Sequence, residues 1–316
     1  DRATSRWPAV SVGRSPSPED AVPVDVDQDG DWDVLSCHEG KTRKVLVHFN
    51  EAGNREDLLA ESSWQTSEFA QVSGQAWMFA VPIVLDGSRL GVVIGSKGSQ
   101  ASITLLISPA NASADLSLWK AIRLRDAGWI MSLRVWDMDG DGDQDVVFSD
   151  RKGSLRGVGW LQQPDDPSRP WIEHAIGGGD YEVMFLDVVA KPDRRQTPTI
   201  LVSTRNSIWI EYQHREGRWT ASPLPNPTAV PHGKAIAALS PQTLVMTANT
   251  HSGGVDRVPG VWLRRGKRPW LAIGGGQGGK YDRIEVIDLN GDSHPDVLTC
   301  EERENLGVIW YANPGR

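Results

Sequence analysis

Carboxylates crowd three short stretches of this chain. Asp25-Val-Asp27-Gln-Asp29-Gly30-Asp31-Trp-Asp33, Asp137-Met-Asp139-Gly-Asp141-Gly142-Asp143-Gln-Asp145 and Asp288-Leu-Asn290-Gly-Asp292-Ser293-His294-Pro-Asp296 share one spacing. Hard cations such as Ca2+ take about six to eight oxygens at roughly 2.3–2.6 Å. Side chains at loop positions 1, 3, 5 and 9, with the backbone carbonyl of position 7 (Asp31, Asp143, His294), wrap one such ion. Glycine at position 6 permits the sharp turn. Without an ion, carboxylates this close repel one another.

An EF-hand needs Glu at position 12 and a helix after it. Here position 12 is Ser36, Phe148 or Thr299, and Val-Leu or Val-Val before it begins a β-strand. The segments are therefore strand–loop–strand elements. They resemble the calcium loops of FG-GAP/VCBS repeats, the propeller repeats also found in integrin α-chains. The resemblance implies metal-ligand roles for Asp25, Asp27, Asp29 and Asp33, for Asp137, Asp139, Asp141 and Asp145, and for Asp288, Asn290, Asp292 and Asp296. The third loop departs from the pattern, with Ser293 at position 6 and the neutral Asn290 at position 3. Two or three structural calcium ions are expected.

The elements that would carry these loops repeat as well. Apolar strands such as Val45–Phe49, Ile103–Ile107, Ile208–Tyr212 and Val308–Tyr311 are each followed by a turn, and all but the last lead to a tryptophan-led segment. Those tryptophans, Trp64, Trp119, Trp171, Trp219 and Trp270, recur about every 50 residues, a period suited to propeller blades. Outer-strand tryptophans are expected to pack between blades. Trp7 has the same character with nothing before it. The expected fold is all-β, a single β-propeller of six four-stranded blades, with seven as the alternative. The blades would span about 15–66, 67–122, 123–176, 177–225, 226–275 and 276–316 plus 1–14. Residues Trp7–Val12 would close the ring as the outer strand of the last blade.

The opposite ends of these strands would collect loops rich in His, Arg, Lys, Glu and aromatic rings, the kind of surface where binding sites sit on a rigid scaffold. Candidate ligand contacts are Trp77, Trp129, Lys152, Arg156, Arg205, Tyr181, Glu182, Arg257, Arg283, Glu301 and Arg303. Aromatic faces stack on sugars, and Arg forks hold carboxylates or sulfates, so the set suits an acidic or sulfated carbohydrate. For an enzyme working by β-elimination, a polysaccharide lyase or sugar dehydratase, His251, His232, Tyr281 or His38 would serve as base, with Arg151 neutralising the acid. A protein-binding module is a third reading. Cys37, His38, Cys300 and Glu301 would form a second, softer metal site, or the two cysteines a disulfide or free thiols.

The chain has 316 residues, a net charge of −8 and a pI near 5.4, with the acidic excess gathered in the aspartate loops. It carries no basic stripe or nucleic-acid motif, and no apolar run approaches a membrane span. Calcium-dependent loops, a first residue other than Met and two cysteines suit an extracellular or periplasmic protein whose signal peptide has been removed.

Overall fold

The structure, a computed structural model, describes residues 7–111, 113–193, 196–227, 230, 232–250, 258–274 and 279–315. It is all-β, and its strands pair as six antiparallel sheets taken in chain order. The contacts divide the chain into two compact units, Arg6–Ala175 and a second that includes Ile176–Arg316.

In the first unit, one sheet comprises β1 (Pro18–Val24), β2 (Asp33–His38), β3 (Val45–Asn50) and β4 (Trp64–Glu68). The next comprises β5 (Ala76–Leu85), β6 (Arg89–Lys97), β7 (Ser102–Ile107) and β8 (Lys120–Asp126). The third has β9 (Ile130–Trp136), β10 (Asp145–Asp150), β11 (Gly157–Gln162) and β12 (Ile172–Gly177). The second unit contains β13 (Val183–Val189), β14 (Thr199–Thr204), β15 (Trp209–Arg215) and β16 (Arg218–Leu224). After them come β17 (His232–Ser240), β18 (Thr243–Asn249), β19 (Val261–Arg265) and β20 (Leu271–Ala272), then β21 (Tyr281–Ile287), β22 (Asp296–Glu301) and β23 (Gly307–Tyr311). These are the blades of a six-bladed β-propeller.

Strand order explains the residue pattern. The middle strands are covered on both faces, so β3 (VLVHFN) and β7 (SITLLI) are buried throughout and read as near-continuous apolar runs. Outer strands keep one face wet, so β4 (WQTSE) is mostly exposed. First strands pack in series within each unit, β1 on β5 and β5 on β9, then β13 on β17 and β17 on β21. A part-buried aspartate-to-backbone link recurs at such junctions. Asp20 accepts the Ala80 N–H at 3.1 Å, and Asp187 accepts that of Ala238 at 3.0 Å.

Two expectations change. Residues 7–12 form no strand, and the sheet of β21–β23 has three strands among the described residues. Trp77, expected beside a ligand, is instead fully buried among Leu35, Val45, Phe69 and Ile94, and its Nε1 donates to the Val72 carbonyl at 2.7 Å. It lies on β5, inside the first-strand layer, where a large ring fills the gap between two sheets. The repeated tryptophans do pack inward: Trp119 meets Phe69 edge-on at 5.3 Å, and Trp270 covers the cluster around Trp209 and Met246.

Replacing Trp77 with Ala is expected to cost about 3–5 kcal/mol, whereas Leu118→Ala on the surface stays within about 0.5 kcal/mol. Urea denaturation of both variants against the wild type measures the contrast.

Candidate functional site

The three aspartate loops join β1 to β2, β9 to β10 and β21 to β22. Their backbones match despite differing residues. Position 4 is left-handed in each (Gln28 φ 60°, Gly140 85°, Gly291 78°), as is position 6 (Gly30 102°, Gly142 100°, Ser293 68°). The position-9 aspartates, Asp33, Asp145 and Asp296, are buried at the head of the second strand. Each uses one oxygen to accept the N–H of position 2: Val26 at 2.8 Å, Met138 at 2.8 Å and Leu289 at 3.2 Å. The other oxygen accepts an N–H at or just beyond the end of the third strand: Asn50 at 2.9 Å, Gln163 at 2.9 Å and Asn313 at 2.7 Å. These residues thus fasten the loop to its sheet, a role the ligand reading alone did not foresee.

The donor sets of the first two loops fit a hard cation. Ligand oxygens of Asp25, Asp27 and Asp29 lie within 4.8 Å of one another, and so do those of Asp137, Asp139 and Asp145. Asp25, Asp27, Asp31 and Asp143 each keep a buried Oδ1 without a hydrogen-bond donor. A buried acceptor left bare costs about 1–3 kcal/mol, and a divalent ion would satisfy several at once. Burial and neighbouring carboxylates push Asp33 and Asp143 up to about 6. Burial pushes Asp145 up to about 7.

The third loop satisfies itself. Asp288 accepts the N–H groups of Gly291, Asp292 and Ser293, and Asn290 Nδ2 donates to Asp292 at 3.0 Å. The His294 N–H holds the Asp292 carboxyl below its usual range, helped by Asn290. Its donor set fits a cation poorly.

At the far end of the second strand, five residues after the position-9 aspartate, stand His38, Asp150 and Glu301, all buried. Asp150 accepts the N–H groups of Gly128 (3.1 Å) and Trp129 (2.8 Å) and pairs with Arg125 at 2.8 Å. Glu301, expected as a ligand contact, accepts the N–H groups of Gly279, Lys280, Arg303 and Glu304. Burial alone would raise its carboxyl, yet these four donors hold it at about 2. His38, expected as a base, has both ring nitrogens engaged, with Ser36 Oγ at 2.8 Å and the Pro16 carbonyl at 3.1 Å. All three fix the lead-in to the first strand of their own sheet. Asp150 was missed from the sequence, although its fixed offset from Asp145 would have marked it.

The loop that Asp150 fixes presents Trp129. Its half-buried ring has Arg151 at 4.5 Å, Lys97 Nζ at 4.7 Å and Lys152 Nζ at 4.9 Å from the centroid. All three are within cation–π range. The backbone fixes the group: Arg151 N donates to the Trp129 carbonyl at 2.8 Å, and Gly98 N to that of Gly128 at 3.0 Å. A Cβ on Gly128 would collide with the Lys152 carbonyl oxygen, so the close approach requires glycine there. Lys97 also pairs with Glu39. Arg156 stands exposed along the same turn. Trp129, Lys97, Arg151 and Lys152 therefore make a cationic, aromatic surface within one unit.

The remaining candidates in the second unit are dispersed among local partners. Arg205 pairs with Glu182 at 3.3 Å, and its carbonyl meets His232 Nδ1 at 3.1 Å. Arg283 pairs with Glu285, the Tyr181 N–H closes a turn on Gly178, and Arg303 is exposed. Tyr281, expected as a base, is buried at 2% exposure, and burial beside Glu301 raises its hydroxyl. A largely buried network joins Asp282 to Lys234 at 2.7 Å and Lys280 at 3.5 Å. His251 and Arg257 lie outside the described residues. Cys37 and Cys300 are free thiols. Cys37 sits in the apolar core, and burial pushes its thiol up, which opposes the thiolate a soft metal needs.

No family model matches the chain, and no curated protein does. Solved structures do. A crystal structure of BBS1N in complex with ARL6DN, soaked with lead, is 13% identical, with a TM-score of 0.55 over 98% of this chain and 85% of that one. A structure of YjhT is 14% identical, with a TM-score of 0.45 over 96% and 100%. The first likeness shows the β-propeller fold. Among the described residues no helix is long and apolar enough to cross a membrane.

The Glu301 carboxyl is depressed, so its contribution is present above its unfolded value near 4.5 and fades as pH falls through about 2. Glu301→Gln is expected to lower Tm by several degrees at pH 7, consistent with about 2 kcal/mol for charge-assisted bonds. The gap to wild type should shrink toward pH 2, as followed by circular dichroism.

Proposed function

We propose that this chain is a non-catalytic binding propeller that takes an acidic carbohydrate at Trp129, with calcium held in the loops at 25–33 and 137–145. The observation that carries the reading is the Trp129 ring with three cations within 4.9 Å of its centroid. A sugar ring stacks on the indole while Arg151 forks onto a carboxylate or sulfate and Lys97 and Lys152 add point charge. Binding is favoured over β-elimination because His38 and Tyr281 are buried and His232 is engaged by a backbone carbonyl. A protein partner would call for a broad aromatic and apolar patch, and this surface is cationic.

Calcium would supply positive charge where Asp25, Asp27, Asp29 and Asp31 converge, and again at Asp137, Asp139, Asp143 and Asp145. The bare buried oxygens support this assignment for these two loops. The self-satisfied loop at 288–296 is left without an ion. Loops that take millimolar calcium would suit a protein outside the cytoplasm.

Calorimetric titration with heparin and polygalacturonate tests the sugar. Saturable binding is expected, weakened at least tenfold by Trp129→Ala or Arg151→Ala and strongly by about 1 M salt. No binding to either polymer sinks the carbohydrate reading, and absorbance growing near 235 nm would replace the binder with a lyase.

Chelation tests the ions. EGTA is expected to lower Tm, since a ligand at about 100 times its Kd adds about 2.7 kcal/mol. Asp27→Ala and Asp139→Ala should each weaken that response, and Asp288→Ala should leave it intact. Equal melting with and without calcium refutes the assignment.

A further inference from the structure

The three cations around Trp129 are not equivalent. Lys97 ends β6, and its backbone meets that of Trp129 in an isolated antiparallel bridge. Its Nζ lies 4.7 Å from the ring centroid and at the same time forms an ion pair with Glu39. The two side chains of that pair are 23% and 27% exposed, against 83% and 59% for the surface pair Arg14–Glu61. A pair shielded in this way is screened less by salt than one fully in water.

Glu39 is held by its backbone. It follows β2 directly, its N–H donates to the Ser17 carbonyl at 3.0 Å, and its carbonyl accepts the N–H groups of Thr42 at 3.1 Å and Arg43 at 3.3 Å. The side-chain hydrogen bond with Glu19, and then the contact with Lys97, hold the Glu39 carboxyl below its usual range. It is therefore ionised at neutral pH.

An acidic ligand stacked on Trp129 meets a Lys97 whose charge is already answered. A ligand carboxylate there would exchange one carboxylate for another and stand beside Glu39, a like charge. Lys152 is exposed, and Arg151 carries the planar fork that suits a carboxylate or sulfate. We propose that Glu39 is the specificity-determining residue of the Trp129 surface: by holding Lys97 it bars acid groups from that position and directs them to Arg151 and Lys152. The inference rests on the reading of Trp129 as an anion-binding surface and is independent of whether the anion is a sugar.

Fluorescence anisotropy with pyranine, an aromatic trisulfonate, tests it without a sugar. Glu39→Gln is expected to bind the dye about fivefold tighter than the wild type, the upper range for a partly shielded charge pair. A misfolded variant would not show such a gain. The double-mutant cycle with Lys97→Met assigns it: once Lys97 is Met, Glu39→Gln should bring less than about a twofold change. Heparin, titrated in parallel by calorimetry, should follow the same order. A dye affinity unchanged or weakened by Glu39→Gln overturns the proposal, as does an equal gain in the Lys97→Met background or the absence of dye binding by both proteins. If the dye follows the expected order while heparin and polygalacturonate fail to bind, the carbohydrate reading falls and the role of Glu39 stands. If the polymers bind wild type and Glu39→Gln alike, the carbohydrate reading stands and the role of Glu39 falls.

Discussion

A carboxylate buried at the head of a strand must find donors, and in three sheets it finds them in the backbone. Asp33, Asp145 and Asp296 each bind one N–H inside the loop and one near the end of the third strand. This double clamp fixes how the loop leaves and re-enters the sheet. It holds equally in the third loop, which is poor in free oxygens. It does decide where the other aspartates point, and in the first two loops it leaves several oxygens buried and bare. The clamp fixes the shape, and the proposed affinity for a cation rests on what the clamp leaves unsatisfied.

The same device works at the opposite end of the second strand. Asp150 gathers the N–H groups of Gly128 and Trp129, and Glu301 those of Gly279 and Lys280. A carboxylate accepting several N–H bonds stays ionised and rigid. The consequence for function is positional: Trp129 sits on a lead-in loop that cannot drift, with Arg151 bound to its backbone and Lys152 against Gly128. Preorganisation of this sort lowers the ordering cost of binding.

The blade repeat was legible because it is periodic. Tryptophans about 50 residues apart, apolar runs of strand length and three copies of one loop spacing need no knowledge of the fold to be seen. The three aspartate loops were legible for the same reason. The burial of the candidate contact residues was legible only in part. Trp77 and Trp129 looked equivalent in sequence, each just before or at the start of a first strand, yet one is at 0% exposure in the core and the other lies under three cations. Glu301 and His38 looked like exposed chemistry at strand ends and proved to be buried clamps.

Local spacing alone determined the strand–loop–strand units, their turn geometry and the clustering of carboxylates, because those groups are neighbours along the chain and their distances follow from a few backbone angles. Tertiary structure alone decided which carboxylates remain unsatisfied, which tryptophan stays half-exposed and which sheet has three strands among the described residues. These outcomes depend on burial and on donors dozens of residues away, such as Asn50 for Asp33 or Gln163 for Asp145. A hydrogen-bond partner at that separation is set by how strands stack and pair, and no pattern of nearby residues encodes it.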